Sequence, residues 1–405
     1  MSKLEELIQE LCPNGVEFVP LWSITAWDKK FNAVDKAMQP KVYKYPVLLA
    51  KDLFAMQQEK GDVFLLSTGT ETGWTTEKIA GDYLCKGEVV TLPWGKSSPV
   101  KGLIKYYNGK FVTGDNRIAT SLDTEKLLNK YLYYWMVNQG DVIDTFYRGS
   151  GIKHPSMFHV LTMTIPVPPM EVQREIVRLL DDFTAKTAEL QTELNKEYEV
   201  RKKQYEYYQN LLLNDKFGAE YKELGDVVTF LNGRAYKQSE LLNSGKYKVL
   251  RVGNFYTNNQ WYYSDLELEQ NKYCQKGDLL YTWAATIGPQ IWDGEKVIYH
   301  YHIWKLVFDN SILNMHYLYH YLKKDINDIS NSLTNSTMPH VSMSSMKKRM
   351  ISIPPMETQQ EIVRLLDNLT EKTEELQDKL NEELESRQKQ YEYYRDKLLT
   401  FKELK

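Results

Sequence analysis

The sequence contains Pro168-Pro-Met-Glu-Val-Gln-Arg-Glu-Ile-Val-Arg-Leu-Leu-Asp181, and 186 residues later it repeats this stretch as Pro354-Pro-Met-Glu-Thr-Gln-Gln-Glu-Ile-Val-Arg-Leu-Leu-Asp367. The match continues without a gap to Leu213 and Leu399, and 31 of the 46 paired positions are identical. Self-similarity at a fixed offset means that one structural unit is built twice. The chain therefore consists of two variable blocks, each followed by a nearly identical block.

The nearly identical blocks are predicted to be long helices. Neither contains Gly or Pro after its opening prolines, and apolar residues of the second copy recur at steps of three and four from Ile362 to Leu398. Proline followed by Glu171 or Glu357 is typical of a helix start. About 46 residues at 1.5 Å per residue give a rod of roughly 70 Å. A helix with so narrow an apolar stripe needs a partner helix, and the other copy is the obvious one. A two-fold axis that exchanges the two helices makes them antiparallel.

The variable blocks are rich in Tyr, Trp, Val and Gly, with short apolar runs broken by turn residues. This pattern predicts an α+β domain in each block, with a strand-rich core and a short helix near its end. The expected strands include Tyr43–Leu49, Asp62–Leu66 and Lys296–Val307, and the expected helices are Lys126–Val137 and Asn314–Lys323.

The composition excludes several classes of protein. The chain has 405 residues, of which 42% are hydrophobic and 26% charged, so it is not mainly disordered. No apolar run approaches the roughly 18 residues of a membrane-spanning helix. Three scattered cysteines fit a reducing cytoplasm, where we expect the protein to be located. The net charge of −3 argues weakly against nucleic-acid binding, but only the surface distribution of charge can decide this.

No catalytic motif is found in the sequence. Gly95-Lys96-Ser97 resembles the end of a phosphate-binding loop, but Val90 stands where the first glycine is required. No nucleophile elbow and no Asn/Asp-Pro-Pro-aromatic tetrapeptide occurs. His316 and His320, four apart on an expected helix, are interpreted as packed or half-exposed rather than as metal ligands. His300 and His302 alternate on an expected strand, where a role in the core or the ladder is favoured over metal binding.

Several loops combine small or hydroxyl residues with a basic residue, which is the chemistry of nucleic-acid recognition. Small residues allow close approach to phosphates, Arg and Asn pair with base edges, and Lys and hydroxyls hold phosphates. For any single loop a solvated turn is an equal alternative, and the hypothesis rests on their number in two matched domains. The residues predicted to contact DNA are Lys96, Ser97, Arg148 and Lys153 in the first domain, and Arg234, Lys237, Arg251, Asn254 and Thr286 in the second.

At this point the chain resembles the specificity subunit of type I restriction–modification systems over essentially its whole length. The resemblance rests on the two Pro-Pro-Met-Glu motifs with their long helices, and on Lys276-Gly-Asp-Leu-Leu with Ala285-Thr-Ile-Gly288. The first domain departs from the family pattern, because Pro93-Trp-Gly-Lys-Ser-Ser98 replaces the alanine-rich loop. Such a departure is expected if the two domains read different bases.

The resemblance implies two α/β target-recognition domains separated by two long antiparallel helices, which form a coiled coil. The fold class would be α+β, and the internal repeat would have pseudo-two-fold symmetry. The expected boundaries are 1–165 for the first recognition domain, 166–216 for the central helix, 217–350 for the second recognition domain and 351–405 for the last helix. Each domain would read one half of a bipartite target in double-stranded DNA, and the helices would set the spacing.

The resemblance also implies partners and cofactors. Two modification subunits, which methylate adenine with S-adenosylmethionine, and restriction subunits, which use ATP and Mg, would dock on this chain. The chain itself would hold no cofactor or metal, would not contact a membrane, and would not be an enzyme on its own.

Exposed positions that recur in both helices are candidates for docking the modification subunits, although recent duplication would also explain their identity. These residues are Arg178, Lys186 and Arg201 in the first copy and Arg364, Lys372 and Arg387 in the second. Two further hypotheses remain open. One is a structural coiled-coil adaptor whose end domains bind proteins, and the other, disfavoured by the missing motifs, is an enzyme that acts alone.

Overall fold

The computed structural model describes residues 3–96, 98–214, 219–256, 258–332 and 340–404. Its contacts divide the chain into two compact units. Unit 1 comprises Met1–Thr192 and Glu382–Lys405, and unit 2 comprises Glu193–Asn381. Each unit therefore contains one variable block and parts of both long helices.

Unit 1 is built around one six-stranded mixed sheet. Its long central strands are buried on both sides, because Val, Leu and Phe side chains point to both faces. In spatial order the strands are Thr25–Trp27, Asn116–Ser121, Cys85–Pro93, Lys105–Thr113, Val63–Leu66 and Gly73–Thr75. Two small antiparallel pairs lie outside this sheet, Glu17–Pro20 with Thr164–Val167 and Tyr147–Arg148 with His154–Pro155.

Short helices cover the sheet of unit 1 and join it to the long helices. Asn129–Asn138 packs against the sheet and buries Tyr131, Leu132 and Trp135. The other α-helices are Lys3–Leu11, Leu21–Ile24, Ala50–Ala55, Glu77–Ala80, Gly140–Thr145 and Met157–Thr162, and 3-10 turns span Lys36–Met38, Gly81–Tyr83 and Val100–Gly102.

Unit 2 distributes a comparable set of strands over two four-stranded sheets. One sheet has the order Val228–Asn232, Ile303–Phe308, Leu279–Thr282 and Gly288–Ile291, and the other has Tyr262–Ser264, Tyr247–Leu250, Val297–Tyr299 and Tyr273–Cys274. Glu220–Glu223 pairs with Met350–Ile353, as the corresponding strands do in unit 1. The remaining α-helices are Leu224–Val227, Met315–Ser332 and Met343–Lys347, and 3-10 turns span Gln238–Glu240, Val252–Phe255 and Gln270–Lys272.

The long helices are Met170–Asn214 and Met356–Leu398. Both begin directly after the second proline of their motif, as predicted. In unit 1 the start of the first helix packs with the end of the second, where the Phe183 and Tyr391 rings lie 5.6 Å apart. In unit 2 the end of the first packs with the start of the second, and Leu213 shares a buried cluster with Ile362. The pairing within each unit is therefore antiparallel, as expected.

Two local predictions were wrong. Residues 43–49 form no strand, and only Val47 makes an isolated bridge there. The run Lys296–Val307 is not one strand, because Val297–Tyr299 and Ile303–Phe308 belong to different sheets and a turn at residues 300–302 separates them. Within the part of the chain that the structure describes, no helix has the length and apolar character needed to cross a bilayer.

Candidate nucleic-acid interface

Both units bring three segments together around a tryptophan at the end of a central strand. The Trp94 backbone N–H donates to the Asp115 carbonyl at 3.1 Å, and the Trp283 N–H donates to the His302 carbonyl at the same distance. A third segment reaches the tryptophan carbonyl in each case. Trp94 O lies 2.8 Å from His154 Nδ1, and Trp283 O accepts from Val341 N at 2.9 Å. We call these assemblies the Trp94 cluster and the Trp283 cluster.

Cationic side chains surround the Trp94 ring. The Lys29 ammonium lies 5.1 Å from the ring centroid and the Arg117 guanidinium 5.0 Å from it. Arg117 is only 1% exposed, and it is held by Asp28 at 3.1 Å and by Asp115. Because these contacts fix the buried Arg117 side chain, it is not free to reach outward.

The predicted residues Arg148 and Lys153 lie on a small hairpin at the Trp94 cluster, and both are exposed. The Lys96 backbone pairs with that of Lys153, donating at 3.2 Å and accepting at 3.4 Å. Ile152 at the hairpin tip is 68% exposed. Its methyl packs so closely on Gly95 that a Cβ there would lie 2.6 Å from it. The structure thus brings Lys96, Arg148 and Lys153 into one region.

Lys96 differs from the other predicted residues because its side chain is buried. Its ammonium pairs with Asp144 and lies 5.0 Å from the Tyr147 ring centroid. The same carboxylate oxygen accepts from the Val100 N–H at 2.7 Å. Lys96 therefore ties the loop to the short helix that carries Asp144. Ser97 lies outside the described residues.

In unit 2, Arg234 and Arg251 converge on the turn at residues 300–302. The Arg234 backbone bonds to that of Tyr299 and Tyr301, each at 3.0 Å, and its guanidinium donates to Glu240 at 2.6 Å. The Arg251 side chain is exposed and lies 5.2 Å from the Tyr262 ring centroid.

Arg251 acts electrostatically on the two histidines of this turn. Burial, together with the charges of His302 and Arg251, lowers the pKa of His300 to about 4. Burial and the charge of Arg251 also lower the pKa of His302. Both imidazoles are therefore neutral near pH 7, and each offers one hydrogen-bond donor and one acceptor.

The other predicted residues of unit 2 have different surroundings. Lys237 and Thr286 have exposed side chains, and Thr286 follows Ala285, whose φ of 65° marks a tight turn. The Asn254 amide is engaged within its own loop. Its oxygen accepts from Arg251 N at 3.0 Å, and its nitrogen donates to the carbonyls of Asn258 and Gln260 at 3.0 Å.

Sequence reasoning missed three side chains of these clusters. Arg117 and Trp283 belong to no recognisable motif, because Arg117 lies inside an ordinary strand pattern and Trp283 directly follows one. Tyr301, 37% exposed, lay within a run interpreted as a continuous strand. That interpretation also misassigned His300 and His302. Their half-buried rings are 4.9 Å apart in a turn, and they are not part of a strand ladder.

The helix residues predicted to dock partners are all exposed, but four of them have partners in their own helix. Arg178 pairs with Glu175 and Asp182, Arg201 with Glu197, Arg364 with Glu361, and Arg387 with Glu383. Lys186 and Lys372 are also exposed. Such exposed intrahelical pairs contribute little to stability and leave the side chains accessible.

His316 and His320 share the carboxylate of Asp367. His320 is buried, and its Nε2 lies 2.7 Å from Asp367 Oδ1, while His316 Nδ1 lies 3.9 Å from Oδ2. Burial lowers the pKa of His320, although Asp367 opposes this shift. Among the residues with described positions, no group of three or more His, Cys, Asp or Glu could hold a metal ion.

The sequence model of the type I restriction modification DNA specificity domain matches the chain twice, at residues 43–200 and 218–386. Each match spans most of one variable block and part of the long helix that follows it.

Known proteins of similar sequence agree with this match. A putative type I restriction enzyme specificity subunit of Haemophilus influenzae is 32% identical over 331 residues, covering 79% of this chain and 84% of the relative. The EcoR124I/EcoR124II specificity subunit of Escherichia coli is 26% identical over 437 residues, covering 99% and 97%.

The fold agrees as well. The crystal structure of the HsdS subunit from Thermoanaerobacter tengcongensis has a TM-score of 0.55 at 14% identity and covers 96% of this chain and 97% of that one. A chain from a type I restriction–modification assembly has a TM-score of 0.64 at 15% identity, with coverage of 78% and 83%. The expected α+β fold with two domains and long helices is confirmed, and the chain belongs to the family of type I restriction–modification specificity subunits.

Proposed function

We propose that this chain is the DNA-reading, non-catalytic subunit of a type I restriction–modification complex, and that each unit reads one half of a bipartite target. The observation that carries the proposal is the pair of matched clusters. In both, the backbone N–H of a strand-end tryptophan donates to the residue before the next strand and a third segment contacts the tryptophan carbonyl, yet the clusters carry different side chains. A shared scaffold with different chemistry suits two domains that bind the same kind of polymer and read different bases.

The recognition residues divide by their surroundings. Arg148 and Lys153 in unit 1, and Lys237, Arg251 and Thr286 in unit 2, have exposed side chains suited to phosphates or base edges. Arg234 is half-exposed and shared with Glu240. Lys96 and Asn254 hold their loops in shape, so we propose that they act by positioning. Ser97 stays a proposed contact on the basis of sequence alone.

We propose the domain limits 1–165, 166–216, 217–350 and 351–405, with recognition in the first and third segments. The long helices would set the number of base pairs between the half-sites. Two modification subunits would dock on their exposed faces at Arg178, Lys186 and Arg201 and at Arg364, Lys372 and Arg387. Restriction subunits would join this complex, S-adenosylmethionine, ATP and Mg would bind to the partners, and the complex would be cytoplasmic.

A second duplicated feature supports docking on these helices. Tyr207 and Tyr393 occupy equivalent positions, and each is 63% exposed. Each stacks edge-on against the next tyrosine at 5.4 Å. Tyrosine is enriched at the centres of protein–protein interfaces, so a side chain that is exposed in the free chain suits a docking surface.

The test is to express the chain with its modification subunits in a host that lacks such methylation and to sequence methylated adenines genome-wide. We expect a bipartite motif that disappears when this gene is deleted. A companion titration of random duplex against the purified complex should show affinity falling steeply as salt rises. If methylation does not depend on the gene and duplex binding is insensitive to salt, the chain is an adaptor for proteins and the proposal is wrong.

A further inference from the structure

The turn that precedes the tryptophan's partner strand differs between the two units. In unit 1 it is Gly114-Asp115, between the strands Lys105–Thr113 and Asn116–Ser121. In unit 2 it is His300-Tyr301-His302, between Val297–Tyr299 and Ile303–Phe308.

Backbone hydrogen bonds show that the two turns are equivalent. The Gly114 N–H donates to the carbonyl of Leu66, the last residue of a parallel neighbouring strand, at 2.9 Å. The His300 N–H donates in the same way to Leu250 at 2.9 Å. Asp115 and His302 then accept from the two tryptophans. The turn of unit 2 therefore contains one additional residue, Tyr301.

The additional residue is held in place through its backbone. The Trp283 indole N–H donates to the Tyr301 carbonyl at 2.7 Å, and the Tyr301 N–H donates to the Arg234 carbonyl at 3.0 Å. The phenol ring is 37% exposed, although its main chain is fixed on both sides. This is the geometry of a side chain presented by a rigid turn.

The His302 ring lies against Tyr301 and Trp283, with centroids 4.0 and 5.0 Å away. His302 is half-buried and Arg251 is exposed beside it. The turn therefore combines groups that both donate and accept hydrogen bonds with a permanent cation. Base edges differ in their pattern of donors and acceptors, whereas phosphates only accept.

We propose that Tyr301 and His302 are the specificity-determining side chains of unit 2, and that they contact base edges of the half-site read by this unit while Arg251 holds the adjacent phosphate. This inference rests on the proposed function. In unit 1 the same place is occupied by Asp115, whose carboxylate is tied to Arg117, so the two units present different chemistry at one structural position.

A purely structural role for the turn makes a different prediction. The bonds that hold the turn use the Tyr301 main chain and the Trp283 indole, and neither is altered by Tyr301→Phe or His302→Ala. Both variants should therefore fold and assemble like the parent chain. Tyr221→Phe, an exposed tyrosine in the strand Glu220–Glu223, and His316→Gln are matched controls outside the cluster.

The experiment uses the full chain co-expressed with its modification subunits, with methylated adenines sequenced genome-wide. We expect Tyr301→Phe and His302→Ala to relax one or two positions within one half of the motif. Sites with the wrong base there should gain methylation roughly tenfold or more, because one base contact is worth about that much discrimination. The other half and both control variants should keep the parental motif.

Asp115→Ala is the corresponding variant of unit 1. It must leave unchanged the half of the motif that His302→Ala affects. The inference is overturned if both turn variants keep the parental motif, or if they lower methylation equally at all sites without changing the motif. It is also overturned if they relax the half that responds to Asp115→Ala. If the parent chain itself yields no bipartite motif, the proposed function fails, and this outcome is distinct from failure of the turn variants.

Discussion

Gln173 and Gln359 occupy equivalent positions of the repeat, and both side chains are fully buried. Gln173 accepts from the Leu128 N–H at 3.0 Å and donates to the carbonyls of Lys126 and Pro168. Gln359 accepts from Asn314 N at 2.7 Å and donates to two carbonyls in the same way. Each glutamine thus fastens the end of a domain to the start of a long helix, which explains its place in the repeated motif.

We expect Gln359→Leu to destabilise unit 2 by about 2–4 kcal/mol, because it leaves the partly buried Asn314 N–H and two carbonyls without the partner that they have in the parent chain. The measurement is the denaturant midpoint of the purified chain followed by circular dichroism. Gln377→Leu is the control, since that half-exposed side chain donates to Asn381 on its own helix. Equal midpoints for both variants would show that the buried hydrogen bonds do not stabilise the junction.

The histidines of the Trp283 cluster give a prediction about charge. Arg251→Ala removes a cation that lowers the pKa of both His300 and His302, so both pKa values should rise in the variant. Proton NMR titration of the imidazole rings measures this directly. Lys237→Ala removes an exposed cation of the same unit that is not among the groups shifting either pKa, and it should leave both unchanged. If Arg251→Ala also leaves both unchanged, Arg251 does not face this turn.

At the residue scale, sequence reasoning identified exposed basic residues better than buried ones. Arg148, Lys153 and Arg251 are exposed on loops that small residues had marked. The ion pair of Lys96 with Asp144 spans 48 positions, and no local pattern encodes it. Arg117 lies on a strand whose alternation gave no sign of an arginine buried between two carboxylates.

At the element scale, equivalent positions of the two long helices contact different polar side chains of the neighbouring short helix. In unit 1, Asp181 accepts from Lys130 at 2.8 Å and from the Tyr134 hydroxyl. In unit 2 the equivalent Asp367 meets His316 and His320. The second junction therefore buries an imidazole, and this burial lowers the pKa of His320.

We expect this junction to make unit 2 sensitive to acid. The pKa of His320 is lowered in the folded chain, so the unfolded chain binds its proton more readily. The stability present at neutral pH is then lost as the pH falls below the ordinary histidine value of about 6.5. Besides Asp367 and His316, the groups that act on His320 are the Tyr205 hydroxyl at 3.4 Å and the Lys323 charge.

The double variant His316→Lys/His320→Tyr gives unit 2 the junction of unit 1 and tests this sign. Its free energy of unfolding should vary less between pH 7 and 5, by up to about 1.4 kcal/mol per pH unit for one proton. Denaturant titrations at several pH values provide the measurement. The variant Lys130→His/Tyr134→His should gain acid sensitivity in unit 1. Identical pH profiles for the parent and both variants would contradict the assignment.

Elements with a long, uninterrupted pattern were predicted correctly, whereas two of the expected strands were wrong. The helix starts at Met170 and Met356 follow from proline, acidic residues and periodicity. The run Lys296–Val307 contains no Gly, Pro, Asn or Asp, and the break at residues 300–302 arises because its halves pair with different strands. Pairing between distant strands is a tertiary effect that the apolar pattern of one run does not contain.

At the scale of the whole molecule, the first and last segments of the described chain meet within unit 1. The Val16 N–H donates to the Lys402 carbonyl at 2.9 Å, and the Leu404 N–H donates to Val16 O at 2.8 Å. Gly15 has a φ of 107°, and a Cβ there would lie 2.5 Å from the Lys402 carbonyl oxygen. The repeat in the sequence indicated two domains, and the structure adds that unit 1 contains both ends of the chain while each unit contains parts of both long helices.

The division into two units predicts that DNA contacts in one unit act independently of those in the other. The Trp94 and Trp283 clusters share no residue, so the free-energy losses of Lys153→Ala and Arg251→Ala should add within about 0.5 kcal/mol in the double variant. Each lost phosphate contact should also reduce the slope of log affinity against log salt by about 0.9. Binding of the assembled complex to duplex DNA, measured at several salt concentrations, gives both quantities. Lys389→Ala on the second long helix is the surface control and should change neither the affinity nor the salt slope. A double variant that binds as well as either single variant would mean that the two units do not bind the duplex at the same time.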